Sequence, residues 1–259
     1  MDFILEYYFD FSILSDVDGW SRILDGFWIT LKLSILSGIL ALTWGLILAM
    51  LRQLPGKAFA PVRFLTIAYI DIFRGIPLLL VLFLVSGSLL AFQSEGIIPT
   101  ALGLPRFLGE SEGFWWGVIS LTLTYGAYMA EVYRAGIEAV PEGQSEAARS
   151  VGMSHRQAMR HIIVPQAVRK VIPPLLNDFI ALMKDTSLVS VLATLEVVQV
   201  GRDIQSETFN GTGLVLGALL FLAVTIPLAR WIDYMIRREQ RKTQRGGAPA
   251  KPPTGLAGA

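Results

Sequence analysis

Several residue types that carry chemistry in proteins are absent or scarce in this chain. It contains no cysteine, which excludes a disulfide framework and a thiolate metal site. Its two histidines, His155 and His161, share one polar stretch, so a histidine metal site inside an apolar segment is excluded as well. The glycine-rich GxxxxGKS/T motif of a P-loop is also missing. The sequence therefore predicts a protein that holds no metal or cofactor and does not itself hydrolyse ATP.

Charged residues are also few. They make up 17% of the 259 residues, whereas 53% are hydrophobic, and the mean hydropathy is +0.54. This composition is too apolar for a soluble domain and is typical of an all-α polytopic membrane protein. Residues 1–25 are acidic, so we expect no cleavable signal peptide. No internal repeat is visible.

Five apolar segments are long enough to cross a bilayer. The first, residues 27–51, contains Lys32 as its only charge, and that side chain can extend towards the interface. The second, residues 62–92, is too long for one simple span, so we expect it to break or kink at Gly75-Ile76-Pro77. The remaining spans are predicted at residues 114–133, 165–192 and 212–234. Pro173, Pro174 and the polar run Lys184–Ser187 predict that the fourth span is interrupted.

The charges between the spans predict an orientation. The turn after the first span, residues 134–170 and the tail from Arg237 are basic, whereas the N-terminus and the two remaining loops carry more acids than bases. Basic loops remain in the cytoplasm. We therefore expect five transmembrane helices with the N-terminus outside and the C-terminus inside. The expected divisions are an acidic extracytoplasmic segment (1–25), a transmembrane domain (26–236) and a basic, disordered cytoplasmic tail (237–259).

The longest polar and basic segment inside this apolar chain is residues 140–165. Gly152 suits the left-handed position that follows a helix end. Ser154 and Gln157 have the spacing of a capping box that opens a second helix, and Pro165 is expected to close that helix. The segment therefore predicts a helix, a glycine corner and another helix.

Within this segment, Glu146-Ala147-Ala148 is followed by Gly152 and then by Ile162-Ile163-Val164-Pro165. The spacing resembles the EAA loop in the membrane subunits of bacterial binding-protein-dependent ABC importers, although Val164 replaces the usual Leu. In that family the loop is a cytoplasmic coupling helix that docks in a groove of the ATP-hydrolysing subunit. The resemblance implies that the ATPase-coupling residues are Glu146, Ala147, Ala148, Gly152 and Pro165.

Other segments resemble the polar amino-acid branch of that family, whose members handle histidine, glutamine, arginine or glutamate. They are residues 74–79, with Ile76 where the branch has Thr, and residues 128–137, 143–148 and 184–188. The resemblance covers about residues 27–234. It implies the type I ABC importer fold and a permease subunit in the bacterial inner membrane that translocates a polar amino acid.

The same resemblance implies three protein partners. These are a cytoplasmic ABC ATPase dimer, a second permease subunit and an extracytoplasmic solute-binding protein that delivers the amino acid. The sequence leaves open whether the second permease is identical to the first, and which amino acid is carried.

Polar and charged residues inside spans are costly and are candidates for the transport pathway. Arg74 and Lys184 fall near mid-depth at 1.5 Å per residue, beside breaks whose free backbone groups suit a zwitterion. Asn177 and Ala181 share a helix face with Lys184. The candidate pathway residues are therefore Arg74, Glu131, Asn177, Lys184, Asp185, Thr186 and Ser187. Structural ion pairs between Asp71 and Arg74 and between Lys184 and Asp185 are the alternative, as is a clamp by Glu131 on the EAA loop.

Two other functional classes are less favoured. An ion-coupled secondary transporter would show related halves, and none is visible. An intramembrane hydrolase would depend on a serine–lysine arrangement around Lys184. The basic tail is interpreted as a topology anchor beside membrane lipid and not as a nucleic-acid site.

Overall fold

The computed structural model describes residues 7–16, 18–98 and 110–246, and within these residues it contains helices and no strand. The main helices are α1 (Gly19–Arg52), α2 (Ala60–Gly75), α3 (Leu78–Ser94), α4 (Glu112–Glu138), α5 (Glu142–Ser150), α6 (Val164–Asp185), α7 (Val197–Thr208) and α8 (Thr212–Gly246). A short helix, Ile13–Asp16, precedes α1, and a 3₁₀ turn, Lys57–Phe59, precedes α2. The predicted all-helical fold is confirmed.

Two of the described helices are both long and apolar enough to cross a membrane, namely α1 and the Thr212–Arg238 part of α8. The pair α2 and α3 supplies a third crossing if its two limbs count as one span. Helices α4 and α6 have 27 and 22 residues, enough in length, but they are more polar. The number of crossings and their orientation therefore stay predictions.

Helix α4 lies at the centre of the molecule, which explains why it tolerates polar residues. It packs along α1 and also contacts α2, α3 and α6. Gly126 permits the close approach to α1, because a Cβ there would lie 2.6 Å from Cδ1 of Trp44. Ser120 is fully buried and donates its hydroxyl hydrogen to the carbonyl of Trp116, one turn earlier. Neighbouring helices thus shield α4, and Ser120 satisfies its hydroxyl within the helix, whereas Trp115, Thr122 and Thr124 each bury a polar atom that has no hydrogen-bond partner among the described residues.

The second predicted span breaks at the expected place, but more sharply than a kink. Helix α2 ends at Gly75, and Ile76 is extended, with φ −95° and ψ 132°. Pro77 causes this conformation, because its ring disfavours the helical region for the preceding residue. The axes of α2 and α3 differ in direction by 113°, so the two helices form a bent pair and not a continuous rod.

The prediction that Pro165 closes the helix after Ser154 was wrong. A short helix, His155–Ala158, passes into a π turn, Met159–Ile163, and this turn leads directly into α6. Pro165 is the second residue of α6 and directly follows the π turn, whose irregular hydrogen bonding accommodates a residue that has no backbone N–H. The coupling segment and the fourth predicted span are therefore one helical path.

Two features were predicted to interrupt the fourth span, and only one of them does so. Pro173 and Pro174 remain inside α6. They release the carbonyls of Arg169 and Lys170, and both of these residues are exposed, so the carbonyls can bind water. The interruption at Lys184–Ser187 is present, because α6 ends at Asp185 and the chain continues as a 3₁₀ helix, Thr186–Leu192.

The two ends of the transmembrane domain also have defined features. Lys32 does not simply extend to the interface, since it forms an ion pair with Glu110. Arg22 joins the start of α1 to the end of α7 through its ion pair with Glu207, at 2.6 Å. Helix α8 continues to Gly246, and the rest of the predicted tail, residues 247–259, lies outside the described residues.

Candidate functional site

The predicted glycine corner has the geometry that its sequence requires. Gly152 has a φ of +81°, in the left-handed region that favours glycine. The N–H of Gly152 donates to the carbonyl of Arg149 at 2.9 Å, and the N–H of Met153 donates to the carbonyl of Ala148 at 3.0 Å. These two bonds form a Schellman motif, which ends α5 and turns the chain.

The predicted capping box is also confirmed. Oγ of Ser154 accepts a hydrogen bond from the N–H of Gln157, and Oε1 of Gln157 accepts one from the N–H of Ser154 at 2.9 Å. Two backbone donors at the start of the second helix are thereby satisfied.

The three EAA residues do not face in one direction. Ala148 is buried, whereas Glu146 and Ala147 are exposed. Helix α5 packs against the π turn, which fixes the loop to the body of the molecule. The exposed surface of this part of α5 therefore includes Glu146 and Ala147, whereas Ala148 faces the interior.

Contacts on both sides of the loop make it a firm extension of the membrane helices. The ammonium of Lys170 donates to the carbonyl of Ala139, and Nε2 of Gln166 donates to Oε1 of Gln144 at 3.1 Å. Gly136 of α4 lies against Val171 of α6, since a Cβ on Gly136 would be 2.0 Å from Cγ1 of Val171. A displacement of α5 would therefore be transmitted to α4 and α6.

A cavity of about 500 Å³ lies beside the break between α2 and α3. Its walls come from the residues around the break, from α4 and from α6. The polar lining residues are Arg74, Thr124, Tyr125, Tyr128, Asp178 and Asp185. The volume is in the range of ordinary small-molecule sites.

The charges in this cavity have opposite signs and face one another. Cζ of Arg74 lies 5.8 Å from the ring centroid of Tyr128. The Tyr125 hydroxyl donates to Oδ2 of Asp185 at 2.8 Å. Oδ2 of Asp178 is buried and has no hydrogen-bond partner among the described residues. One guanidinium and two carboxylates, one of them under-satisfied, thus line a space large enough for a small zwitterion.

The predicted pathway residues are divided between two cavities. Lys184 and Ser187 line a second cavity of about 550 Å³ between α6, α7 and α8, whose other lining residues are mainly apolar. Asp185 lines the first cavity together with Arg74. Asn177 is exposed and lines neither cavity. Lys184 and Asp185 therefore point to different sides of α6, and no ion pair joins them in the described part of the chain.

The hydroxyls of the polar run bind their own helix. Thr186 is buried and donates to the carbonyl of Met183 at 2.7 Å. Ser187 donates to the carbonyl of Lys184 at 2.7 Å. The two hydroxyl hydrogens therefore stabilise the transition from α to 3₁₀ geometry and are not free for a ligand.

Glu131 is the centre of a charge cluster at one end of α4. Its Oε1 accepts a hydrogen bond from Arg52 of α1, and its Oε2 accepts one from Nε of Arg134 at 2.8 Å. Nη1 of Arg74 lies 4.0 Å from Oε1. Arg134 also pairs with Glu138. Arg74 thus borders both this cluster and the cavity, whereas Asp71 is exposed and is not in an ion pair with it.

Sequence reasoning missed four polar residues of the cavity, namely Thr124, Tyr125, Tyr128 and Asp178. Asp178 had a detectable signal, because it lies seven residues before Asp185 and therefore on the same face of a helix. Tyr128 also had one, because it opens the segment 128–137 that resembles the polar amino-acid branch. Tyr125 had none, since its partner is 60 residues away along the chain.

The sequence and fold have clear relatives among known proteins. Residues 41–242 match the family described as "Binding-protein-dependent transport system inner membrane component". The chain is similar to "Probable glutamine ABC transporter permease protein GlnM" of Bacillus subtilis, with 36% identity over 86% of this chain and 96% of the relative. It is also similar to "Glutamate/aspartate import permease protein GltK" of Escherichia coli, with 33% identity over 90% of this chain and 99% of the relative. The crystal structure of "an amino acid ABC transporter with histidines" matches with a TM-score of 0.72 and 32% identity, over 87% of this chain and 98% of that one.

Proposed function

The chain belongs to the family of binding-protein-dependent transport system inner membrane components, and from this premise we propose that it imports a polar amino acid. It is the permease subunit of an ATP-driven importer, and a separate ATPase subunit hydrolyses ATP. The relatives named for glutamine and for glutamate or aspartate, and the structure solved with histidines, support an amino-acid cargo.

The observation that carries this proposal is the cavity in which Arg74 faces Asp178 and Asp185. An amino acid presents a carboxylate and an ammonium group. The planar guanidinium of Arg74 suits the carboxylate, and Asp178, whose Oδ2 lacks a partner, suits the ammonium. The first turn of α3 begins beside the same cavity at Leu78, and its free N–H groups favour a negative charge.

The coupling loop supplies the connection to the ATPase. Glu146 and Ala147 are exposed on a short helix that Gln166 joins to α6 through Gln144, and Lys170 joins α6 to the end of α4 through the carbonyl of Ala139. Docking of an ATPase on this surface would move α6, which carries Asp178 and Asp185. Gly152 and Pro165 act indirectly, by setting the corner and the start of α6.

The remaining parts of the importer follow from the same premise. The chain crosses the bacterial inner membrane five times, with residues 1–25 outside and residues 237–259 inside, and loop charges support this orientation. It pairs with a second permease subunit, and a solute-binding protein delivers the amino acid from outside.

Direct binding tests the cargo and its site. The permease is purified with its ATPase, without binding protein, and equilibrium dialysis is done with radiolabelled L-histidine, L-glutamine, L-arginine and L-glutamate. We expect at least one of them to bind. Asp178→Asn should weaken that binding about tenfold or more, because it removes a charge-assisted hydrogen bond of about 1.5–3 kcal/mol.

The matched control is Asp233→Asn, which makes the same change on α8 at a residue outside both cavities. We expect this variant to bind like the wild type. Equal binding by wild type and Asp178→Asn would exclude the cavity as the amino-acid site.

A further inference from the structure

Arg74 lies between two sets of carboxylates that attract it in different directions. Asp178 and Asp185 line the cavity with it, and Glu131 lies outside the cavity in the charge cluster. The 4.0 Å between Nη1 of Arg74 and Oε1 of Glu131 is too long for a hydrogen bond. Glu131 therefore attracts Arg74 electrostatically but forms no hydrogen bond with it.

The hydrogen bonds of Glu131 explain why this contact is loose. Arg52 occupies Oε1 and Arg134 occupies Oε2, so both carboxylate oxygens already have a charged donor. Together with Glu138, these residues form a set of two cations and two anions. The charges of this set cancel, and Arg74 is a fifth, additional charge beside it. The side chain of Arg74 is 43% exposed.

We propose that Glu131 competes with the carboxylate of the bound amino acid for Arg74, and so weakens binding enough to allow release. This inference rests on the proposed function of the cavity. A transport site must bind its cargo strongly enough to accept it and weakly enough to let it leave. Glu131 is a positioning residue, since it acts on the amino acid through Arg74 and does not line the cavity.

Competition predicts effects of opposite sign for two neighbouring residues. Glu131→Gln keeps the size of the side chain but removes its charge, so Arg74 is free to bind the carboxylate and the affinity rises. Arg134→Gln frees Oε2 of Glu131 from its charged donor, so Glu131 holds Arg74 more strongly and the affinity falls. Damage to the structure would lower the affinity in both variants.

The experiment uses the permease–ATPase complex and the amino acid that the wild type binds most tightly among L-histidine, L-glutamine, L-arginine and L-glutamate. We expect Kd to fall about threefold in Glu131→Gln and to rise about threefold in Arg134→Gln, as for a partly exposed ion pair. Dissociation of the radiolabelled amino acid should be slower in Glu131→Gln. Asp233→Asn should leave Kd unchanged.

The outcomes separate this inference from the function on which it rests. If the wild type binds no amino acid, both are overturned. If the wild type binds and Asp178→Asn weakens binding, the cavity stands, and unchanged or weaker binding by Glu131→Gln then overturns the competition alone. Where Glu131→Gln fails to assemble, Arg134→Gln decides, because unchanged or tighter binding by that variant contradicts the proposal.

Discussion

At Gly152 a single backbone angle sets the direction of the whole coupling loop. The φ of +81° is costly for any residue with a Cβ, while the space around that Cβ is open, with no atom within 4 Å. A side chain at this position would therefore meet backbone strain but no steric crowding. A substitution at Gly152 therefore measures the free-energy cost of the left-handed backbone conformation alone.

Gly152→Ala should lower the stability of the loop by about 1 kcal/mol, because alanine must adopt the left-handed conformation. Gly143→Ala is the matched control, since Gly143 lies within α5 and its Cβ would also meet open space. In a helix that change is neutral or stabilising. Hydrogen exchange of the α5 amides would measure both variants. Equal exchange in the two would show that the corner tolerates a side chain.

At the scale of elements, a buried glutamate caps α7. Glu196 is fully buried, and its two carboxylate oxygens accept the N–H groups of Val198 and Gln199 at 2.9 and 2.8 Å. Burial raises the pKa of Glu196 to about 7, although these hydrogen bonds and the charge of Arg202 oppose the shift. The carboxylate of Glu196 thus forms two well-placed hydrogen bonds, but burial makes its ionised form unfavourable.

The raised pKa gives the stability of this region a definite pH dependence. Between the unfolded pKa of about 4.3 and the folded pKa, the folded state binds more protons, so stability falls as pH rises through this window. Glu196→Gln cannot ionise, and it should lose about 1 kcal/mol at pH 5 through the weakened cap. Its deficit relative to the wild type should shrink or reverse at pH 8.

Thermal unfolding of the purified complex at pH 5 and pH 8 measures this difference. Asp203→Asn controls for a general loss of charge on α7, since Asp203 is half-buried on that helix and its Oδ1 accepts a hydrogen bond from Nε2 of Gln199 at 2.8 Å. A constant difference between wild type and Glu196→Gln at both pH values would contradict the role of the buried charge.

The structural features that could be predicted from the sequence are those that depend on residues close together in the chain. The corner at Gly152 and the capping box at Ser154 depend on a few adjacent residues, and so does the break at Pro77. The π turn at Met159–Ile163 and the 113° bend depend on how whole helices pack, so no local pattern contains them. The contacts of the cavity and of Glu131 join residues 60 and 79 positions apart, beyond the reach of helical periodicity.

At the scale of the whole molecule, polarity is distributed according to depth in the helix bundle. Helix α4 carries a serine, two threonines and three tyrosines because other helices surround it, while the outward faces of α1 and α8 are apolar, as at Ile39 and Leu222. Helices α1 and α8 are therefore apolar enough to cross a membrane by composition, whereas α4 is more polar. The central helix of a transport pathway is expected to be less apolar than its neighbours.

The orientation of the bundle can be tested by labelling single cysteines, because the chain has none of its own. Glu95→Cys and Ser206→Cys lie in segments predicted to be outside, and Arg156→Cys lies in the coupling loop. All three positions are exposed. An impermeant maleimide should label positions 95 and 206 in spheroplasts and should label position 156 only after permeabilisation. Labelling of 156 in intact spheroplasts, with 95 protected, would invert the orientation and remove Glu146 and Ala147 from the side where a cytoplasmic ATPase binds.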